Sequence, residues 1–259
     1  MTVFTVAALV SACSSTAGDG VQPLPSLTPG PVESSAATTG NAAVDLTARA
    51  ALAKDQRYMA VYEWVKDDEA EVTVSRAEDG SWRVDVPGGA HGGKKDVSIV
   101  WTKLGHFQCE LGERKKCVNV AEPDGRLPAE HDPLVQHPFT DWLDVLLDRR
   151  NPFSVTAAEA PESVDDSRCF LIERNSVSVD VPIPQTTYCL RDDGTITWVA
   201  SSFGSMRLVG DVMPAPERTK LPGDVVDDKP LPTSPPPTKS PSPSPSKTPD
   251  DDDLAWEHR

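Results

Sequence analysis

The stretch from Cys169 to Val212 contains four short runs of β-branched and aromatic residues: Cys169-Phe170-Leu171-Ile172-Glu173, Thr187-Tyr188-Cys189-Leu190, Thr195-Ile196-Thr197-Trp198-Val199 and Met206-Arg207-Leu208-Val209. Gly, Pro, Asp or Ser residues bound these runs, which is typical of β-strands. Asp192-Asp193-Gly194 separates the second run from the third, and an Asp-Gly pair favours a tight hairpin because glycine adopts a positive φ at no steric cost. The stretch therefore predicts an antiparallel sheet.

The residues before this stretch alternate apolar and polar side chains, and this period of two predicts a meander of hairpins with one apolar face. The apolar positions assigned to that face are Tyr58, Ala60, Tyr62, Trp64, Val72, Val74, Trp82, Val84, Val86, Val97, Ile99 and Trp101. Further strands are expected at Phe107 to Leu111, Lys116 to Val120 and Phe153 to Val155. The sheet therefore extends well beyond the four runs above.

Two segments have the composition or spacing of helices. Asp45 to Lys54 is rich in alanine, and Phe139 to Leu147 places apolar side chains at i, i+3, i+4, i+7 and i+8. Pro138 suits the first helical position of the second helix, and Arg149 and Arg150 suit its C-terminal end. Packing of the apolar stripe against the sheet is favoured over an exposed partner site. We predict an α+β fold, with a curved antiparallel sheet packed on about two helices.

Four cysteines lie in or beside predicted strands: Cys109, Cys117, Cys169 and Cys189. Three pairings of four cysteines exist, and the sequential one is favoured because each pair then flanks a predicted hairpin. A zinc site is the alternative, but the chain contains no Cys-x-x-Cys motif. We therefore predict the disulfides Cys109–Cys117 and Cys169–Cys189, which indicate an oxidising compartment.

The N-terminal residues bear on the compartment as well. Met1 to Val10 is an apolar run too short to span a bilayer as a helix. Val10-Ser11-Ala12-Cys13 resembles the lipobox of bacterial lipoprotein signal peptides, in which the cysteine is diacylated and becomes the new N-terminus. The alternative is a buried N-terminal strand with an ordinary cysteine. The resemblance implies lipidation of Cys13 and an extracytoplasmic protein held by acyl chains on the outer face of the cell membrane.

The composition divides the chain into four parts. Residues 1–13 are the predicted signal peptide and lipobox, and residues 14–43 form a linker of Ser, Thr, Gly, Pro and Ala that cannot bury enough apolar area to order itself. Residues 227–259 are rich in Pro, Ser, Lys and Asp, a composition typical of a disordered tail biased towards polyproline II. One folded domain is expected over residues 44–226.

Charge and motifs exclude several function classes. The formal net charge of −15 argues against nucleic-acid binding and against electrostatic docking on an anionic lipid surface. The chain has neither a His-Glu-x-x-His nor a Gly-x-Ser-x-Gly motif. Glu130-His131-Asp132 with His137 is the one local cluster of ionisable groups, and we interpret it as a polar loop. We predict no catalytic site, no metal site and no cofactor.

Five of the six tryptophans fall at positions predicted to point inward. Together with Leu146 they are the candidate lining of a cavity for an apolar ligand: Trp64, Trp82, Trp101, Trp142 and Trp198. The alternative is a filled core in which these side chains only pack.

The order of elements resembles that of a known superfamily. A lipobox cysteine and a spacer precede an Ala-rich helix, a meander containing Ser81-Trp82-Arg83-Val84, the helix Phe139 to Leu147 and the hairpin Tyr188 to Ile196. Over residues 44 to 215 the chain resembles actinobacterial lipoproteins of the LolA-like and LprG-like half-barrel superfamily. The resemblance implies an unclosed antiparallel barrel wrapped on helices, with a hydrophobic cavity for acyl chains.

Two functional hypotheses follow. The first is a non-catalytic, lipid-anchored envelope lipoprotein that binds or carries a lipid-like ligand. The second is a ligand-free module that interacts with another envelope protein, whose identity the sequence does not give. The two predicted disulfides and the acidic Pro-rich tail are departures from the superfamily. With these departures, a cavity that is retained and a cavity that is filled by side chains are both compatible with the sequence.

Overall fold

The computed structural model describes residues 41–148, 150, 152–164, 166–175 and 183–234. The predicted signal peptide, the lipobox with Cys13, the linker up to residue 40 and the tail from residue 235 lie outside these residues. Within them the fold is α+β, with helices α1 (Ala42–Asp55) and α2 (Asp141–Leu147) and twelve strands. The strands are β1 (Tyr58–Val65), β2 (Glu69–Arg76), β3 (Trp82–Ala90), β4 (Lys95–Thr102), β5 (Gly105–Leu111), β6 (Lys116–Ala121), β7 (Phe153–Ala158), β8 (Arg168–Arg174), β9 (Thr186–Leu190), β10 (Ile196–Ser201), β11 (Gly204–Pro214) and β12 (Asp224–Val225).

All twelve strands belong to one curved sheet that does not close into a barrel. Their order across the sheet is β12-β6-β5-β4-β3-β2-β1-β11-β10-β9-β8-β7. Neighbouring strands are antiparallel, except that the two-residue β12 runs parallel to β6. The antiparallel sheet predicted from residue alternation is therefore confirmed, and β1 with β11 joins its two halves.

The main core lies on the face of the sheet that α1 and α2 cover, which we call the inner face. Tyr62 of β1 and Tyr188 of β9 are fully buried there, and the Tyr62 ring lies 4.7 Å from the Phe139 ring. The Tyr62 hydroxyl donates to the Ile196 carbonyl oxygen at 2.8 Å, so its polar atom is satisfied inside the core. Leu143 and Leu146 of α2 pack into the same cluster, as their helical spacing predicts.

Helix α1 is fixed at its start and along its side. The Asn41 side chain caps it by accepting from the Ala43 amide. Arg49 is buried, and its guanidinium group donates to Asp45 at 3.0 Å and to Asp192 at 2.7 Å. Arg49 therefore links α1 to the predicted Asp-Gly turn between β9 and β10.

The opposite, outer face carries both predicted disulfides. Cys109 lies directly across from Cys117 on β5 and β6, and Cys169 lies directly across from Cys189 on β8 and β9. Each disulfide is the centre of a small apolar cluster separate from the main core: Val100, Phe107 and Leu221 surround the first, and Val164, Ala158 and Trp198 surround the second.

The second helix is shorter than its apolar stripe predicts. His137–Phe139 forms a 3₁₀ turn, and α2 begins only at Asp141 because the backbone of Thr140 (φ −130°, ψ −112°) leaves the helical region. Phe139 is nevertheless buried in the main core. The role predicted for Arg149 lies outside the described residues, and Arg150 pairs with Asp148.

Residues 227–234 belong to the fold, so the prediction that the tail begins at residue 227 is wrong. Leu231 packs against the main core, and the Gln108 side chain binds its backbone twice. Gln108 Nε2 donates to the Leu231 carbonyl oxygen at 2.9 Å, and the Leu231 amide donates to Gln108 Oε1 at 2.6 Å. Composition identified a Pro-rich segment but could not reveal this long-range partner.

Candidate ligand-binding cleft

A cleft of about 840 Å³ lies between the inner face of β3, β4 and β5 and the segment from Pro123 to Val145. Its volume falls within the range of about 300–1,000 Å³ that is usual for small-molecule sites. Aromatic and large apolar side chains form much of its lining: Trp82, Trp101, Leu127, Leu134, Trp142 and Val145. We call it the aromatic cleft.

The sheet wall of the aromatic cleft follows from strand register. Trp82 of β3 lies directly across from Trp101 of β4, and Trp101 lies directly across from His106 of β5. The three residues therefore form a row across the strands. The Trp101 indole N–H donates to the Pro123 carbonyl oxygen at 2.8 Å, and the His106 ring meets Trp82 edge-on at 6.0 Å. These contacts hold the row in place while its apolar surface borders the cleft.

The helix wall is built on Trp142, in the first turn of α2. Its ring is only 3 % exposed and lies parallel to the His137 ring, with centroids 5.5 Å apart and planes 9° apart. Its other neighbour is Phe203, at 6.0 Å. The contact of a protonated imidazole with a tryptophan face is favourable, because the ring quadrupole attracts the cation.

His137 is held between two carboxylates. Its Nε2 lies 2.7 Å from Asp132 Oδ2 and its Nδ1 lies 2.5 Å from Asp141 Oδ1. Burial disfavours the charged imidazole, but these hydrogen bonds raise the pKa of His137 to about 9. Burial likewise opposes ionisation of Asp132 and Asp141, yet the bonds with His137 hold both carboxyl pKa values below 3.8. The interpretation as a solvated polar loop is therefore wrong for His137 and Asp132, whose side chains are only 16 and 9 % exposed, although Asp141 is exposed.

We expect the network to make stability depend on pH. The folded pKa of His137 exceeds the ordinary value of 6.5, so protonated His137 stabilises the fold fully below pH 6.5, and this contribution is lost as the pH rises through 9. On the acid side, the contribution of the aspartates is present above 3.8 and is lost as the pH falls through their lowered folded pKa values. Replacing His137 by glutamine should cost about 2–3 kcal/mol at pH 6.

Urea unfolding of both proteins at pH 6 and pH 9.5 measures this effect. The difference between the wild-type protein and His137→Gln should be largest at pH 6 and much smaller at pH 9.5. Equal differences at the two pH values would show that the carboxylates do not stabilise a charged imidazole at this position.

Two polar side chains of the aromatic cleft are incompletely satisfied. Gln136 is 1 % exposed, and its Nε2 donates to Asp132 Oδ1 at 2.6 Å, while its Oε1 has no hydrogen-bond partner among the described residues. His106 Nδ1 is also buried without a partner there, and burial lowers the pKa of His106. The cleft therefore offers polar atoms in addition to apolar walls. Neither residue belongs to a sequence motif, although the alternation of β5 places His106 on the inner face.

The predicted cavity residues lie in four different places. Trp82, Trp101 and Trp142 line the aromatic cleft, whereas Leu146 is buried in the main core. Trp64 borders a second cleft of about 700 Å³ beside the Gly88 to Gly93 loop, where its indole N–H donates to the Phe203 carbonyl oxygen at 2.9 Å.

The inward position predicted for Trp198 is wrong. The pairing of β10 with β9 shifts register between Ile196 and Trp198, so Ile196 and Val199 both join the main core. Trp198 consequently packs on the outer face against the Cys169–Cys189 disulfide. A strict period of two fails at such an irregularity because the extra residue reverses which side chains face inward.

The residues that the structure describes contain neither a cluster of metal ligands nor a membrane-spanning helix. Nowhere in the described ranges do three or more His, Cys, Asp or Glu side chains come together as a metal site. Neither described helix is long and apolar enough to cross a lipid bilayer.

No family model matches the sequence, and a search of curated proteins gives no match. The fold and the aromatic cleft thus define an open-sheet α+β protein with a candidate site for an apolar or amphiphilic ligand.

Proposed function

We propose that this protein is a non-catalytic, lipid-anchored cell-envelope lipoprotein that binds a lipid-like ligand in the aromatic cleft. The observation that carries the proposal is the row of Trp82 and Trp101 facing Trp142 across a cleft of about 840 Å³. Such walls bind hydrocarbon because the burial of apolar surface stabilises a complex by about 25 cal/mol per Å². The unclosed antiparallel sheet packed on helices is also the architecture expected from the LolA-like and LprG-like resemblance.

The envelope location is supported by two independent features. The lipobox-like Val10-Ser11-Ala12-Cys13 provides an acceptor for acyl chains, and the two disulfides are typical of a chain that folds in an oxidising compartment. The acyl chains on Cys13 would attach the protein to the outer face of the cell membrane, and the domain would then bind its ligand at the end of the linker.

Native mass spectrometry of the full-length chain, carrying Cys13→Ser and purified from a bacterial envelope fraction, tests the proposal. We expect a co-purifying lipid mass that is lost in Trp101→Asp, because a carboxylate would then replace an aromatic wall. Trp198→Asp is the matched control, since Trp198 is a half-buried tryptophan on the outer face. Circular dichroism checks that both variants fold.

Retention of the ligand by Trp101→Asp, or its equal loss from both variants, would contradict the assignment to the aromatic cleft. A wild-type protein that carries no ligand and takes up no added lipid would contradict the function itself. Trp101→Ala provides a milder second variant, which removes the wall without adding a charge.

The second candidate function is the ligand-free interaction module. The exposed apolar side chains near the end of β11 favour this function. The exposed fractions of Val209, Val212 and Met213 are 41, 37 and 39 %. Neighbouring exposed apolar side chains mark interaction sites more often than isolated ones. A ligand-free mass, together with a protein partner whose binding is lost in Val209→Asp, would favour this function over lipid binding.

A further inference from the structure

Two arginines meet at one end of the aromatic cleft. Arg57 Nη1 and Arg76 Nη2 both donate to the Lys54 carbonyl oxygen, at 3.0 and 2.6 Å. Both side chains line the cleft, and both are half-buried. Sharing one acceptor makes the two guanidinium groups close neighbours.

Within the described ranges, no carboxylate forms an ion pair with either arginine. The carboxylates of Asp55 and Asp144 act on Arg76 from a distance, but Asp144 is engaged by Lys54. Burial lowers the pKa of Arg76, and the charge of Arg57 lowers it further. In a chain of net charge −15, two partly buried cations thus lie side by side, and no carboxylate among the described residues contacts them directly.

Helix capping explains part of this arrangement. Arg76 also donates to the Ala53 carbonyl oxygen, and Arg57 also donates to the Gln56 carbonyl oxygen at 2.8 Å, so the two side chains satisfy carbonyl groups at the end of α1. Two full positive charges exceed what the partial negative charge of a helix end neutralises, which is roughly half a unit. Each guanidinium group carries five N–H donors, so further donors are left for a ligand.

The position of Arg76 connects the cationic end with the aromatic wall. Arg76 of β2 lies directly across from Trp82, and the same row continues through Trp101 to His106. Three strand spacings of about 4.8 Å place the His106 end roughly 14 Å from the Arg76 end. A ligand lying along this row meets cations at one end and tryptophan faces over the rest.

We propose that the ligand of the aromatic cleft is an amphiphile with an anionic head group, a carboxylate or a phosphate, which Arg57 and Arg76 bind while its hydrocarbon chain lies along Trp82 and Trp101. This inference rests on the proposed function and adds the chemical class of the ligand. Guanidinium groups suit both anions, because their planar forks donate two parallel hydrogen bonds.

The test compares parinaric acid with its methyl ester, which has the same fluorescent chain but no charge. Both are titrated into the full-length chain carrying Cys13→Ser at pH 7.5, and tryptophan-to-probe energy transfer reports binding. We expect the acid to bind about tenfold more tightly than the ester at low salt. Arg57→Gln should remove most of this advantage, because it should weaken binding of the acid far more than binding of the ester. Arg174→Gln, an exposed arginine on β8, is the matched control and should retain it.

Competition distinguishes the source of the anion. Palmitoyl lysophosphatidic acid should displace parinaric acid, whereas inorganic phosphate at the same concentration should not. If inorganic phosphate displaces parinaric acid and palmitoyl lysophosphatidic acid does not, the site binds free anions and the inference of an amphiphilic ligand is wrong. Equal affinity for the acid and the ester would overturn the head-group inference while lipid binding stands. Binding of neither probe would refute the proposed function itself.

Discussion

Replacing Gly194 by alanine is expected to lower the free energy of unfolding by about 2–5 kcal/mol. Gly194 has a φ of +88°, which costs a residue with a Cβ atom about 1–2 kcal/mol. A Cβ at this position would also lie 2.5 Å from the Ala53 amide nitrogen and 2.7 Å from Leu52 Cβ. Relief of that overlap requires the hairpin turn to move away from α1, which adds about 1–3 kcal/mol of overpacking strain.

Gly80 provides a control that separates the two causes. It has a nearly identical φ of +86° in the turn between β2 and β3, but nothing lies within 4 Å of a Cβ built there. Gly80→Ala should therefore cost only the backbone strain of about 1–2 kcal/mol. Denaturant unfolding of both variants measures the difference. Similar costs for Gly194→Ala and Gly80→Ala would contradict close packing of the turn against α1.

Removing both disulfides is expected to lower the free energy of unfolding by more than the Gly194 substitution does. The Cys169–Cys189 bridge spans a sequence separation of 20, and the Cys109–Cys117 bridge spans 8. Loop-closure entropy assigns about 3.3 kcal/mol to the first and about 2.5 kcal/mol to the second at 25 °C. All four cysteines are buried in small apolar clusters, so alanine is a better replacement than serine, which would bury unpaired hydroxyl groups.

Replacing both cysteines of one disulfide by alanine, one disulfide at a time, measures the contribution of each to the free energy of unfolding. Unfolding of the wild-type protein under reducing conditions measures the two contributions together. The Cys169–Cys189 pair should show the larger loss. Trp198 packs against that disulfide, so its fluorescence should change with the Cys169–Cys189 variant and not with the other. A larger loss from the Cys109–Cys117 pair would show that loop length does not set the relative values.

The parts of this protein that could be predicted depend on neighbouring residues. The strands of the meander follow from alternation, and the turn at Asp192-Asp193-Gly194 follows from the positive φ that glycine tolerates. The disulfide pairing also follows, because hairpin partners are close in sequence. The His137 network could have been noticed, since Asp141 lies at i+4, a spacing at which side chains on one helical turn meet.

Features that depend on an irregular strand pairing or on distant partners could not be predicted. Trp198 was assigned to the wrong face because an irregularity in the β9–β10 pairing reverses the alternation. Residues 227–234 were assigned to the tail because their composition is Pro-rich, whereas Gln108, more than a hundred residues earlier, binds the Leu231 backbone. The proximity of Arg57 and Arg76 could not be predicted, because neither residue belongs to a sequence motif.

The sequence alone determined an antiparallel α+β fold with two cross-strand disulfides, because periodicity, turn chemistry and cysteine spacing act over short distances. The tertiary structure alone decided the make-up of the aromatic cleft. Arg76, Trp82, Trp101 and His106 lie on four different strands, and only the register between those strands places them in one row. Register is fixed by the burial of a whole face of the sheet, which is a property of the complete fold.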